Sequence, residues 1–460
     1  MAPDKIPSKP QSRPDKVSMW RHIKMFREDI FSSQPAKLYR AWMAEFRTPF
    51  FRSYMINQPE LVKLVLKDRP DDFPKSKVVQ ESLETLLGNS VFVTNGEVWK
   101  RQRRMIDPAF EGGRLKETFP AMLACGEEAI ERLQKETGTG AIVEVEAHTA
   151  HAAADVIFRT LFSIPISDDV ATEVFAQFRD YQRTQPLLNL ASFIPLPKWM
   201  PRFRNRETTK TSAAIRDLIG QITEQRQDEI AAGTAPDDLA TKIMTTADPE
   251  TGDIFDTEEM IDQVAIFFLA GHETSASALA WSLYLLAYDQ DVQARVLAEV
   301  EEVFGNEEPS FGAVNQLKFT KAVFRETMRL YPPVPGMIRS NTKPECFRDR
   351  DVRPGSQVLL SPWHLHRHER LWDNPDGFDP DRWGTENGKK CMREAYIPFS
   401  AGPRVCTGSG FAMIEGPLLL AMMIRAFRFE LVAGREPVPV AHLTLRAKDG
   451  IYLRLTPRGE

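Results

Sequence analysis

One very long helical pattern, over residues 256–288, constrains the fold more than any other feature of the sequence. It opens at Thr257, and the acids Glu258 and Glu259 in its first turn favour a helix start. At ~1.5 Å per residue, such a helix is roughly 48 Å long. Four polar residues interrupt the pattern, namely Asp262, Gln263, His272 and Glu273. They leave no uncharged stretch long enough to span a bilayer, so we expect a helix that crosses the core of a large protein.

The remainder of the chain favours one mostly helical domain. No internal repeat or low-complexity linker divides residues 17–460, and helical patterns alternate with short strand-like stretches. Hydrophobic residues make up 42% and charged residues 27%, which is ordinary for a soluble globular protein. The net charge of −5 suggests neither a nucleic-acid partner nor an acidic membrane surface. We therefore expect a mainly α domain with a smaller β-rich lobe.

The first sixteen residues differ from the rest of the sequence. They contain four prolines among charged and polar residues and no apolar run, so they resemble neither a signal peptide nor a membrane anchor. We interpret residues 1–16 as a flexible tail. The chain has only four cysteines and no C-x-x-C spacing, which favours a reducing compartment and a cytoplasmic location.

Residues 399–408 surround one of these cysteines with groups that favour a thiolate. Gly402 and Gly408 bracket Cys406 and allow backbone N–H groups to approach its sulfur. An apolar helical run begins just after the loop, and a helix N-terminus lowers the pKa of a nearby thiol. Arg404 adds a fixed positive charge suited to a carboxylate. The alternative is a buried cysteine in a turn; the pattern instead predicts a metal-binding thiolate.

The loop resembles the haem-thiolate loop of the cytochrome P-450 monooxygenases, Phe-x-x-Gly-x-Arg-x-Cys-x-Gly, at every fixed position. The resemblance implies a mainly α fold with a smaller β-rich lobe and a long central helix over haem b. It also implies that Cys406 is the axial ligand of the haem iron, and that other loop residues contact the cofactor: Phe399, Gly402, Arg404 and Gly408. Without an apolar N-terminal anchor, the chain is similar to the soluble bacterial members.

A second motif lies midway along the long helix, at residues 270–275. A glycine inside a helix costs up to ~1 kcal/mol, and the Thr274 hydroxyl can bond to a carbonyl one turn earlier. We expect a local opening of the helix there; the alternative is a simple kink. The segment also resembles the oxygen-activation motif of the family. That resemblance implies that Ala270 and Gly271 lie against the haem, that Thr274 hydrogen-bonds the iron-bound peroxide, and that Glu273 connects solvent to proton delivery.

Two further motifs each combine arginine with another residue type. Trp99 and Arg103 share one face of a basic helix over residues 96–104, which alone could be a solvated surface helix. By resemblance both contact the haem propionates, as does Arg339 on a strand-like segment. The second motif is a Glu-x-x-Arg pattern with a later arginine, formed by Glu326, Arg329 and Arg382. It resembles the residues that form a buried cluster in the family and support the haem pocket structurally.

Two histidine groups have metal-binding spacing. His148 and His151 lie three residues apart on a predicted helix, and no third ligand is apparent. His364, His366 and His368 alternate and would share one face of a strand. We interpret both groups as structural.

The resemblance also implies partners. Electrons would come from a separate ferredoxin and its NAD(P)H-dependent reductase, steered by a basic surface that includes Lys100, Arg101, Arg104, Lys389 and Lys390. The substrates would be O₂ and a hydrophobic small molecule, such as a lipid, fatty acid, terpenoid or aromatic compound. Its pocket would draw on the loop before Trp99, an apolar lid at residues 186–203, and Ile266, Phe267, Ala270, residues 335–338 and residues 443–445. We expect a monomer without nucleic acid or membrane span.

Two alternatives remain open. A peroxygenase or isomerase of the same fold usually lacks the acid–alcohol pair that Glu273 and Thr274 provide. A non-catalytic haem sensor could keep Cys406 and would not need that pair.

Overall fold

The structure is a computed structural model that describes residues 6–18, 21, 24–25, 29–47, 52–136, 140–184 and 206–458. The apolar lid predicted at residues 186–203 lies outside the described residues. Sixteen α-helices lie in the described parts of the chain: α1 (Pro59–Lys63), α2 (Lys77–Leu87), α3 (Gly96–Ile106), α4 (Arg114–Glu117), α5 (Phe119–Glu136), α6 (Val145–Phe162), α7 (Asp169–Thr184), α8 (Arg206–Ala232), α9 (Leu239–Thr245), α10 (Thr257–Tyr288), α11 (Gln290–Phe304), α12 (Phe311–Gln316), α13 (Lys318–Leu330), α14 (Pro362–Leu365), α15 (Glu386–Glu394) and α16 (Ser409–Ala426).

Eleven short strands in the same residues form four small sheets: β1 (Met43–Arg47), β2 (Arg52–Ile56), β3 (Ala141–Glu144), β4 (Met337–Ser340), β5 (Glu345–Phe347), β6 (Arg350–Val352), β7 (Gln357–Leu360), β8 (Phe427–Leu431), β9 (Pro439–Ala441), β10 (Leu445–Ala447) and β11 (Tyr452–Pro457). The largest sheet has the order β1-β2-β7-β4, with β2 parallel to β7 and the other pairs antiparallel. The others are β3-β11-β8, β9-β10 and β5-β6. The predicted fold class, mainly α with a smaller β-rich part, is confirmed.

The predicted long helix is α10, and its ends agree with the sequence pattern. Asp256 caps it: its side chain accepts from the Glu259 N–H, and the Glu259 side chain accepts from the Asp256 N–H. Most of its 32 residues are buried, because α6, α8, α13 and α16 pack around it. Gly271 allows the closest approach, since a Cβ there would lie 2.3 Å from Cδ1 of Ile157 on α6. The helix therefore forms the axis of the core.

Helix α16 follows the cysteine loop and is the one described helix that is long and apolar enough to cross a membrane. Two thirds of it, 67%, is buried inside the protein. It packs against α5, α10, α11 and α13, so contacts within the core account for its apolar sequence.

The N-terminal segment contacts the core in its described part. Three tyrosine hydroxyls bind the backbone of residues 6–8: Tyr288 donates to the Ile6 carbonyl at 3.1 Å, Tyr331 donates to the Ser8 carbonyl at 2.7 Å, and Tyr284 accepts from the Ser8 N–H at 3.2 Å. Next in the chain, the Lys9 ammonium lies 2.7 Å from an Asp376 oxygen. The flexibility of residues 1–16 stays a prediction, but these contacts were not expected from its composition.

The strand expected around the three alternating histidines is wrong. Ser361 caps the short helix α14, and the chain continues as a turn through His368. His364 shares a hydrogen bond with the Ser361 hydroxyl at 2.9 Å, and Nε2 of His366 accepts from the Ile397 N–H at 2.9 Å. Burial lowers the pKa of both histidines to about 3. They are neutral core residues with separate partners, as the structural interpretation required.

Candidate active site

The loop around Cys406 is fixed by its own backbone. The Cys406 N–H donates to the Phe399 carbonyl at 2.9 Å, and the Val405 N–H donates to the Gly402 carbonyl at 3.0 Å. Gly402 has φ of +71°, and a Cβ there would lie 2.0 Å from the Leu66 carbonyl oxygen. Only glycine fits such a position.

The environment of the Cys406 thiol contradicts one sequence-based expectation. The predicted helix begins three residues later, at Ser409, and the Gly408 N–H points at the sulfur. Burial raises the pKa of the Cys406 thiol, and the opposing effects of the Gly408 N–H and Arg103 are smaller. The loop therefore does not keep the thiol ionised by itself; a bound metal ion would supply the missing positive charge.

Cys406 combines an exposed surface with close surrounding protein. Its side chain has exposed surface, although protein surrounds it closely enough to raise its pKa. The two observations agree if the exposed surface faces an internal space. Ala270 is exposed in the same way, although it lies in the middle of the core helix α10 among mostly buried neighbours.

The oxygen-activation motif is helical throughout. The Thr274 hydroxyl donates to the Ala270 carbonyl at 2.6 Å, as its position predicted. Helix α10 nevertheless continues without interruption through Gly271 and Thr274, so the expected local opening is absent from this structure. One residue further, the Ser275 hydroxyl donates to Glu415 on α16 at 2.6 Å. This contact ties the motif to the helix that follows the cysteine loop.

Glu273 points towards the β9–β10 hairpin. It is 8% exposed, and its Oε1 accepts from the Thr444 hydroxyl at 2.6 Å and from the Arg446 guanidinium. The sequence analysis missed both partners, because nothing in the local sequence indicates that the C-terminal hairpin reaches α10. Glu273 is therefore a buried, ion-paired carboxylate beside Thr274.

The residues predicted to hold the propionates lie together. The Arg404 guanidinium lies over the Trp99 ring, 4.9 Å from its centroid, and Arg103 donates to the carbonyl of Val405 at 2.7 Å. Arg339 lies on β4, and its backbone pairs with that of Lys75 in an isolated antiparallel β-bridge. The Lys75 ammonium lies over the same Trp99 ring, 5.8 Å from its centroid. Lys75 and Arg404 thus lie over one tryptophan ring, and Lys75 is close enough to Arg339, Arg404 and Arg103 for their charges to act on it. We refer to Lys75, Arg103, Arg339 and Arg404 as the cation cradle.

The cradle has more positive than negative charge. Burial and the neighbouring arginines lower the pKa of Lys75 well below its usual value, and burial and Arg404 lower the pKa of Arg339 to about 10. Arg103 pairs with Asp107 at 2.9 Å, and Arg404 lies 3.7 Å from the exposed Asp71. Among the described residues, no carboxylate pairs with Lys75 or Arg339.

This imbalance fits a bound dianion. Of the four basic side chains, Lys75 and Arg339 have no carboxylate partner among the described residues, and Nε of Arg404 is buried without a hydrogen-bond partner. Haem carries two propionates, so the cradle fits its charge and its donors, and Cys406 adjoins it through Arg103. Lys75 was missed from the sequence, because a single lysine in a loop gives no signal.

The predicted structural cluster is present and fully buried. Glu326 pairs with Arg329 and with Arg382, each at 2.8 Å. Burial opposes ionisation of Glu326, but the two guanidinium groups outweigh it and lower its pKa. The remaining arginine N–H groups donate to backbone carbonyls, including those of His366 and Gly377. Asp381, the residue before Arg382, pairs with Arg295 on α11.

The remaining site residues are structural neighbours. Phe399 packs with Phe324, Met328 and Met413 against Ala278 of α10, so it joins the cysteine loop to the central helix. His148 lies 3.4 Å from Glu136, and His151 contacts Arg132, which supports their structural interpretation. In the described parts of the chain, no group of three His, Cys, Asp or Glu side chains could hold a metal ion.

Comparisons with known proteins agree with this site. The family model described as Cytochrome P-450 matches residues 19–454. The chain is 32% identical to the cyclooctat-9-en-7-ol 5-monooxygenase of Streptomyces melanosporofaciens, over 91% of this chain and 87% of that protein. It is 30% identical to a cytokinin hydroxylase of Arabidopsis thaliana, over 87% of this chain and 78% of that protein.

A solved structure has the same fold. The crystal structure of the cytochrome P-450DA haem domain superposes with a TM-score of 0.79 at 24% identity, covering 99% of this chain and 98% of that one. The chain therefore belongs to the cytochrome P-450 family and is a haem-dependent monooxygenase that uses O₂, a substrate and a redox partner.

Proposed function

We propose that the protein holds haem b through Cys406 and hydroxylates a lipophilic organic substrate with electrons from a separate ferredoxin. The observation that carries this proposal is the cation cradle beside Cys406, in which Lys75 and Arg339 have no carboxylate partner among the described side chains. When bound, the haem would activate O₂ and insert one oxygen atom into a C–H bond, with its thiolate ligand favouring O–O cleavage.

The protein groups have separate roles in this proposal. Cys406 ligates the iron, and the cradle binds the propionates and fixes the orientation of the ring. Thr274 already donates its proton to the Ala270 carbonyl, so its oxygen lone pairs remain available to accept a hydrogen bond. Glu273 is the nearest carboxylate in the chain sequence and would exchange protons with solvent. The Glu326 cluster supports the pocket without touching substrate.

A lipophilic substrate is supported by the apolar residues around Ala270 on α10. Phe267, one turn before Ala270, packs against Phe110 with ring centroids 5.7 Å apart, and its neighbour Ile266 is buried. One relative is named as a monooxygenase of cyclooctat-9-en-7-ol, an alcohol with a hydrocarbon skeleton, which supports a mostly apolar substrate. The segment Ala-Gly-His-Glu-Thr resembles the fatty-acid and alkane hydroxylating branch of the family, which supports a lipid or other lipophilic substrate, with an aromatic compound as the alternative.

The basic surface predicted to bind the electron donor has to be corrected. Four of its five cations pair with acids of this chain: Lys100 with Glu97, Arg101 with Glu259, Arg104 with Asp248, and Lys389 with Glu386. The surface therefore has a weaker positive field than its sequence implies. A ferredoxin remains our proposal, and we expect its binding to depend less on salt than four free cations would require. A cytoplasmic location and a monomeric state stay predictions.

The test is turnover of dodecanoic acid with NAD(P)H, a ferredoxin and its reductase under ¹⁸O₂. The proposal expects a hydroxylated product with one ¹⁸O atom and a low-to-high spin shift when dodecanoic acid binds. A second arm replaces the electron donors with hydrogen peroxide. Product from peroxide alone would favour the peroxygenase alternative, and haem binding without product from any lipophilic acid, terpenoid or aromatic compound would favour the sensor.

A further inference from the structure

The β9–β10 hairpin, residues 439–447, is fastened to the core along its backbone. The Leu445 carbonyl accepts from the Ser277 hydroxyl at 2.7 Å, and the Leu445 N–H donates to the Pro333 carbonyl at 2.8 Å. At its two edges, the Ala447 N–H donates to Glu146 at 3.0 Å and the Ala441 N–H donates to Asp29 at 3.2 Å. These bonds come from four separate parts of the chain, so the hairpin has a defined position against α10.

Two side chains of this hairpin meet a single atom of Glu273. The Thr444 hydroxyl and the Arg446 guanidinium both donate to Oε1. Thr444 is buried, whereas the Arg446 side chain is 31% exposed. The partly exposed Arg446 side chain thus lies at the solvent side of the buried Glu273 carboxylate.

The geometry of α10 separates Glu273 from its neighbour. Successive helical residues point about 100° apart, so Glu273 faces the hairpin while the Thr274 hydroxyl turns back to Ala270. A buried carboxylate needs a counter-charge and hydrogen bonds, and in the described residues the hairpin supplies both. The orientation of Glu273 therefore depends on groups about 170 residues away in sequence.

We infer that Arg446 is a positioning residue for proton delivery, and that together with Thr444 it sets where the Glu273 carboxylate stands relative to Thr274. This inference rests on the proposed function, because it assigns a partner to a residue of that reaction. Arg446 does not touch the reacting atoms; it acts through Glu273.

The contact itself is tested without any turnover, by a double-mutant cycle in urea unfolding of the haem-loaded protein. The variants are Glu273→Gln, Arg446→Gln and both together. The inference expects non-additive shifts of the unfolding midpoint, with the double variant no worse than the poorer single variant. Additive shifts would overturn it. Lys448→Gln is the matched control, since it removes one exposed charge at the residue that follows the hairpin.

The functional readout is hydrogen peroxide released per NAD(P)H oxidised, with ferredoxin, its reductase and dodecanoic acid. Peroxide release is measurable whether or not dodecanoic acid is a good substrate. We expect Arg446→Gln to raise it by at least about threefold, a small part of the ~10²–10⁴ that a positioned proton carrier supplies. Arg446→Lys should restore most of the wild-type ratio, and Thr444→Val should give an intermediate increase.

The outcomes separate this inference from the proposed function. If Arg446→Gln matches Lys448→Gln in peroxide release while the reduced protein with carbon monoxide keeps a thiolate-type Soret band, only the positioning role fails. If that band is absent from the wild-type protein, the proposed function fails first. Should Arg446→Gln not fold, Arg446→Lys and Thr444→Val carry the same comparison, and a wild-type ratio in both would contradict the inference.

Discussion

Two groups of arginines in this protein are buried, and they differ in what compensates their charge. Arg329 and Arg382 share Glu326 and donate their other N–H groups to backbone carbonyls. Within the described parts of the chain, the cation cradle has no equivalent carboxylate for Lys75 and Arg339, and Nε of Arg404 has no hydrogen-bond partner. A closed cluster supports the fold, whereas an open cluster with excess charge is typical of a site that binds an anion.

The same contrast applies to two fully buried carboxyl groups. Glu326 lies between two guanidinium groups and has a lowered pKa. Glu415 on α16 has the Ser275 hydroxyl as its one hydrogen-bond partner in the described residues, where its other oxygen makes no hydrogen bond, and burial raises its pKa to about 8. Neighbouring charge, and not depth alone, therefore decides whether a buried acid is ionised.

The largest loss of stability should follow from removing the carboxylate that Arg329 and Arg382 share. Glu326→Gln leaves two buried guanidinium groups without their counter-charge, and we expect a loss of about 3–5 kcal/mol in the free energy of unfolding. Urea unfolding should show this loss with and without haem. Glu386→Gln removes an exposed carboxylate and serves as the control. Equal stability of the two variants would mean that the cluster is not structural.

A smaller, pH-dependent effect should come from Glu415. Its pKa is raised from 4.5 in the unfolded chain to about 8 in the folded protein. Its contribution to stability is therefore complete below pH 4.5 and is lost as the pH rises towards 8. Between pH 5 and pH 7, wild type should lose roughly 2–3 kcal/mol relative to Glu415→Gln, which does not titrate. A difference that stays constant over this range would mean that Glu415 is ionised.

Removing one charge from the cation cradle should have opposite effects on the stability of the haem-free and the haem-bound protein. Arg339→Met removes an uncompensated buried charge, so the haem-free protein should gain about 1 kcal/mol. The haem-bound protein should lose stability, because a propionate partner is gone. Urea unfolding of both forms measures the two signs, with the exposed Arg353→Met as control. The same sign in both forms would argue against a cradle for haem.

The smallest effect is expected at the surface. Lys100 and Glu97 are exposed partners on α3, and solvent screens their ion pair. Lys100→Gln should leave the midpoint of urea unfolding unchanged, while Arg104→Gln, whose partner Asp248 is buried, should lower it. A larger loss of stability for Lys100→Gln than for Arg104→Gln would show that solvent exposure does not determine how much these two ion pairs stabilise the protein.

Local patterns predicted much of the fold. The ends of α10 followed from Asp256 and its acidic first turn, and α16 followed from its apolar run. The alternating histidines misled, because alternation indicates a strand only where the backbone is extended. Ser361 and Pro362, a helix cap and a first-turn proline, were the local signals for α14.

The candidate site was predicted less completely. Positions within short motifs, such as Cys406 and Thr274, could be read directly from the sequence. Lys75 and Arg446 could not, because their roles depend on which distant segments the fold brings together. The pKa of Cys406 was misjudged for a similar reason, since the surrounding core and not the loop dominates it.

The most direct test of the account is the absorption spectrum of the purified, reduced protein with carbon monoxide, beside Cys406→Ser. The account predicts a strongly red-shifted Soret band of the thiolate type in wild type and its loss in the variant. A band typical of histidine ligation, or a thiolate-type band that survives in Cys406→Ser, would contradict the assignment of Cys406 and the function proposed from it.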